Sequence, residues 1–76
     1  MPDIPAYLAR VDAQLATLDP AGRSKFLNRL TDQWTAQYAE FQRRVDRGAP
    51  IPAGVTAFDF IDTLGGLDQR AEVACA

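Results

Sequence analysis

Six apolar side chains in the middle of the chain, Phe26, Leu30, Trp34, Tyr38, Phe41 and Val45, follow one another at steps of four, four, four, three and four residues. A helix keeps that spacing on a single face. Phe58, Phe60 and Tyr7 fall in shorter segments on either side. The stripe therefore predicts one long central helix with two shorter ones folded against it. The expected fold class is all-α, a small three-helix bundle.

The first segment, Pro5 to Leu18, carries its own seam at Ile4, Leu8, Val11, Leu15 and Leu18. Asp3 suits the N-cap and Pro5 the first turn, where its missing N–H costs nothing. Alanines at 6, 9, 13 and 16 favour helix and let a neighbour approach closely. Barely two heptads are present, which marks an ordinary core helix rather than a coiled-coil strand. Asp19-Pro20-Ala21-Gly22 is a compact break, with Asp19 or Ser24 available to cap the next helix. The long helix starts between Pro20 and Lys25 and ends at Arg47, where Gly48 can take the left-handed terminal position. At about 1.5 Å per residue it is on the order of 36 Å long. The short connection makes the first two helices antiparallel.

Ala49-Pro50-Ile51-Pro52-Ala53-Gly54 cannot continue a helix, and its two prolines favour an extended crossing pinned by Ile51. Thr56-Ala57-Phe58-Asp59 approximates a capping box, with Val55 and Phe60 placed as a hydrophobic staple across it. Ala57, Phe58, Ile61 and Leu64 form the expected inward face of the third helix, with Phe60 at its margin. Gly65-Gly66 is expected to end or sharply bend that helix. Leu67 to Val73 is then a candidate short fourth helix at the C-terminus, with residues 74–76 fraying.

Seventy-six residues suit one helical domain, residues 1–76. A core of this size leaves only about 3–5 kcal/mol of net stability, so such domains often recruit a disulfide, a metal or a partner. Cys75 is the single cysteine and histidine is absent, which removes an internal disulfide and a conventional zinc site. Tight packing, self-association or docking on a larger protein is what remains. No apolar run reaches the roughly 18 residues of a membrane span. Met1-Pro2-Asp3-Ile4-Pro5 lacks the basic start and apolar stretch of a secretory signal. With a lone thiol, that predicts a cytoplasmic protein. Seven arginines against one lysine, with abundant alanine, hint at a GC-rich bacterial genome or its mobile elements.

The inventory for catalysis is poor, and no enzyme is expected. Ser24 beside a helix start is explained by capping. Cys75 near the terminus has no evident group to lower its thiol pKa. Gly65-Gly66 follows a helix rather than a strand and is too short for a phosphate loop. No cofactor is implied. Paired carboxylates Asp59 and Asp62 share one flank of the third helix, with Asp68 and Glu72 beyond them. This spacing supplies too few oxygens for a hard cation. It offers a solvated face, with Asp59 capping its own helix, or an acidic docking surface for a basic partner.

On the long helix Lys25, Arg29, Arg43 and Arg47 lie opposite the aromatic stripe, and Glu40 precedes Arg44 by four residues, the favoured order for an ion pair. The terminal cluster Arg43, Arg44 and Arg47 complements the helix dipole and is also a natural anchor at interfaces. Trp34 and Tyr38 are core residues if the stripe is covered and partner anchors if it is not.

Two readings of function follow. The first is a non-catalytic protein-binding module, a small bacterial or mobile-element regulator or inhibitor that docks on a larger protein, in the manner of antitoxins, anti-activators and anti-CRISPR inhibitors. Its expected contacts are Arg43, Arg44, Arg47, Asp59 and Asp62. A homodimer through the stripe or the first helix is the other way to cover apolar surface. The second is a DNA-binding regulator of transcription or plasmid maintenance. A net charge of −2 and a very long middle helix followed by a proline-bound loop disfavour it, so nucleic acid is not the expected partner.

Overall fold

The computed structural model describes residues 3–75, with side chains through residue 73. Three helices follow in order, α1 (Ile4–Leu15), α2 (Pro20–Arg47) and α3 (Ala57–Cys75), with no strand among the described residues. The three-helix, all-α expectation holds. Arg23 meets Leu15 while Trp34 meets Tyr7, so α1 and α2 are antiparallel. The chain reverses again into α3, which packs mainly on α2 and runs alongside α1. The long axis is 43 Å, set by the 28 residues of α2, and the radius of gyration is 13.8 Å. A compact chain of this length would reach only about 11 Å.

The punctuation of α1 and α2 lies where the local chemistry places it. Asp3 accepts from Ala6 N–H at 3.0 Å and Asp19 from Gly22 N–H at 2.7 Å. Asp19, not Ser24, is therefore the cap, and α2 starts at Pro20. Gly48 takes the left-handed conformation at φ 68°, and Ala49 N–H reaches back to the Arg44 carbonyl at 2.9 Å, which closes a Schellman motif. α1 stops at Leu15 rather than Leu18. Its last carbonyls close a tighter final turn, in which Thr17 N–H donates to Gln14 O and Leu18 N–H to Leu15 O, both at 3.1 Å; the Thr17 hydroxyl, at 2.7 Å from Gln14 O, and Arg23 Nε, at 3.0 Å from Leu15 O, donate to the same two carbonyls.

The core is a layer with one residue from each helix, Val11, Leu27 and Leu67, all buried. Leu27 and Leu67 are completely enclosed, each stabilising the fold by about 1.5–3 kcal/mol through removal from water. Phe26, Leu30 and Trp34 of the stripe pack around this layer. Trp34 stands edge-on to Tyr7 at 5.5 Å and donates its indole N–H to the Tyr7 hydroxyl at 2.9 Å. Val45, at the far end, remains half exposed.

α3 departs from expectation in two ways. First, its inward face is rotated. Phe60, Thr63 and Leu67 are buried, whereas Phe58 is 72% and Ile61 49% exposed. Phe58 and Phe60 lie about 200° apart around a helix, so only one can point inward. Phe60 does, because three rings of α2 converge on it: Tyr38 stacks at 5.4 Å, Phe41 lies at 5.0 Å and Trp34 edge-on at 6.0 Å. Phe60 is the hub of the aromatic cluster rather than its margin.

Second, Gly65-Gly66 neither ends the helix nor starts a fourth; α3 runs unbroken through both. A Cβ on Gly66 would lie 2.6 Å from Leu8 Cδ1. The glycine is there to let α1 come close, and neither residue of the pair has positive φ. At the start of α3, Asp59 reaches back to Thr56 N–H at 2.8 Å, one limb of the expected capping box. Ile51 pins the preceding loop only loosely and stays 36% exposed at the rim of a shallow groove that also contains Val55 and Phe60.

Candidate protein-docking surfaces

The arginines at the end of α2 are brought together by a single carboxylate. Arg43 Nη2 lies 2.9 Å from Glu40 Oε2, Arg44 Nε 3.2 Å from Oε1, and Arg47 Nη2 3.7 Å from Oε1. Hydrogen bonds from Arg43 and then Arg44 hold the Glu40 carboxyl below its ordinary range. The expected Glu40–Arg44 pair is thus part of a wider fan. All these side chains are substantially exposed, so solvent screens the pairs and each contributes little. Three guanidiniums on one carboxylate retain an excess of positive charge and several unused donors.

The acidic pair divides. Asp59 is committed to the start of α3, where its carboxylate accepts from Thr56 N–H. Asp62 is exposed and has no hydrogen-bond or ion-pair partner among the described residues. The antiparallel return brings the arginine end of α2 beside the start of α3. Glu40 and Arg44 share a shallow groove of about 300 Å³ with Phe41, Ile51, Val55 and Phe60. Trp34 and Tyr38 are both half-buried against α1 and α3, which places them inside the bundle.

Two features escape a reading of the sequence. One is the outer face of α3. Phe58 and Ile61 stand in solvent there beside Asp62, and Val73 is exposed further along. The signal was an excess: Ala57, Phe58, Phe60, Ile61, Leu64 and Leu67 together span more of the circumference than one inward face can hold. The other is an ion pair between α1 and α3. Arg70 donates through Nε and Nη2 to the two oxygens of Asp12, at 2.6 and 2.9 Å. The hydrogen bond from Arg70 pulls the Asp12 carboxyl below its ordinary range, and the same bond raises the guanidinium. This pair walls an open groove of about 680 Å³ whose other residues include Leu15, Pro20, Arg23 and Val73.

Nothing in this set joins a nucleophile to a base. Ser24 is half-buried in the second turn of α2, and the thiol of Cys75 lies outside the described side chains. Among the described residues no group of three or more metal-ligating side chains comes together, and no helix is long and apolar enough to cross a membrane. No protein-family model, no curated protein and no solved structure matches the chain.

Proposed function

We propose that this chain is a non-catalytic protein-binding module, a small regulator or inhibitor that acts by docking on a larger protein. The observation that carries the reading is the outer face of α3, where a phenylalanine and an isoleucine stand in solvent beside an aspartate that has no partner among the described residues. Burying two large apolar side chains in a partner recovers free energy that the folded monomer forgoes. The arginine fan at Arg43, Arg44 and Arg47, with Asp62 across the start of α3, supplies polar contacts around it. The arginine-rich, lysine-poor composition favours a bacterial or mobile-element origin, and a lone cysteine fits the reducing cytoplasm.

Duplex DNA is the weaker reading. The arginines share Glu40, and the net charge is −2. Affinity capture of the tagged chain from lysate of its source organism, with and without nuclease, separates the two. A stoichiometric protein that survives nuclease is the expected result. Capture that vanishes with nuclease reverses the order.

A further inference from the structure

The outer face of α3 has a composition that specifies its occupant. Around the helix, Phe58, Ile61 and Gly65 form one exposed line, with Asp62 on one side, Asp68 on the other and Glu72 continuing it. The three acids have no partner among the described residues, and the only basic residue of the helix, Arg70, is turned away to Asp12 and the Gly66 carbonyl.

Gly65 adds an independent sign. It sits exposed in the middle of a helix, where glycine is the poorest choice after proline, and a Cβ there would meet nothing. Its neighbour Gly66 is explained by Leu8; Gly65 is explained by nothing within the chain. A bare backbone on an apolar face, between large side chains, is what a second helix needs to cross closely.

Resting on the protein-binding reading, we infer that this face receives an amphipathic helix of a partner protein, with an apolar stripe laid over Phe58, Ile61 and Gly65 and basic residues on both flanks. A second copy of the chain is a poor occupant. An antiparallel pair of α3 helices crossing at Gly65 puts Asp62 on the same flank as Asp62 of the other copy and Asp68 on the same flank as its Asp68, like charge beside like. A head-to-tail contact between this face and the arginine end of another copy is heterologous and builds a ring or an open filament rather than a simple pair.

Two synthetic helical peptides of about 18 residues test the assignment. They share an apolar stripe with alanine at its centre and differ in flanks, lysine and arginine in one, glutamate in the other. Titrated against the full chain, the basic peptide should bind roughly tenfold tighter or more. Phe58→Ser/Ile61→Ser should abolish binding, and Asp62→Lys/Asp68→Lys/Glu72→Lys should invert the preference. Gly65→Gln gives the discriminating result, because a better helix former in open space should raise Tm while weakening the peptide complex. Equal affinity for both peptides, undiminished binding by the Phe58→Ser/Ile61→Ser variant, or unchanged binding by Gly65→Gln overturns the assignment. So does a concentration-dependent dimer that this double variant dissolves, since the occupant would then be a second copy. Lysate capture with wild type and the double variant side by side separates the two levels. A stoichiometric partner held equally by both keeps the module and removes this face from it; no partner held by either removes both.

Discussion

Asp12 and Arg70, 58 positions apart, are joined fork to fork: Nε to Oδ1 at 2.6 Å and Nη2 to Oδ2 at 2.9 Å, while Nη1 of the same guanidinium donates to the Gly66 carbonyl at 2.9 Å. One side chain thereby ties α1 to the point of α3 where the two helices come closest. Arg70 is largely covered and Asp12 half exposed, so screening reduces the pair to about 1 kcal/mol, at the upper end for surface ion pairs. In a domain this small that corresponds to a Tm shift of about 4–8 °C. Arg70→Leu is expected to lower Tm by that amount. The folded-state pKa of Asp12 lies below its ordinary 3.8, so the contribution is complete above that value and is lost as pH falls through the depressed one. The Tm gap between wild type and Asp12→Asn should therefore be full at neutral pH and close in strong acid. A gap that persists there would mean that the pair is not what Asp12 contributes.

Phe60 and Phe58 give the sharpest contrast in α3. Removing the Phe60 ring empties the space enclosed by Trp34, Tyr38 and Phe41 and should cost about 3–5 kcal/mol. That is comparable with the whole stability of a domain of this size, about 3–5 kcal/mol. Phe60→Ala should thus be largely unfolded by far-UV circular dichroism at room temperature. Phe58→Ala, on an exposed side chain, should stay within about 0.5 kcal/mol of wild type. Comparable losses from the two variants would show that the register of α3 is wrong.

The same pair shows how far the sequence could be read. Where a signal is local it was legible. The stripe from Phe26 to Val45 specified α2, Gly48 marked its end, Asp19 was one of two candidate caps for its start, and the four-residue step from Glu40 to Arg44 announced their ion pair. What failed depended on residues distant in the chain. The apolar residues of α3 allow more than one inward face, and the choice was made by three rings on α2 that accept a single phenylalanine. A diglycine breaks helices by local propensity, yet Leu8 of α1 needs the space and holds the helix through it. The candidate site inherits both errors. Phe58 and Ile61 become surface residues only once the rotation of α3 is known, and no local pattern relates Asp12 to Arg70.

Gly66 and Gly65 are adjacent, yet substitution should move stability in opposite directions. Alanine at either gains helix propensity, up to about 1 kcal/mol. At 65 nothing opposes the gain, and Gly65→Ala should raise Tm. At 66 the new methyl meets Leu8 Cδ1 at 2.6 Å and Cδ2 at 3.1 Å, and overpacking of this kind costs about 1–3 kcal/mol. Gly66→Ala should therefore be net destabilising. Shortening the opposing side chain removes the conflict, so Gly66→Ala should cost less in a Leu8→Ala background than alone. Strictly additive effects in that double-mutant cycle would show that the two residues do not touch.

Glu40 governs what the arginine end of α2 presents to the outside. As the carboxylate shared by Arg43, Arg44 and Arg47, it both orders the three side chains and cancels part of their charge. The ion pairs around it are exposed and screened, so Glu40→Gln should leave Tm nearly unchanged at physiological salt. Its effect should appear in binding instead. With the carboxylate gone, three guanidiniums are free to engage phosphate or sulfate, and the variant should elute from immobilised heparin at higher salt than wild type. Glu40 titrates below its ordinary 4.5, so the difference in elution should be present at neutral pH and shrink as acid protonates the wild-type carboxylate. Identical elution at neutral pH would mean that Glu40 does not mask the cluster, and the arginines would then be as available to a partner in the wild type as they can become.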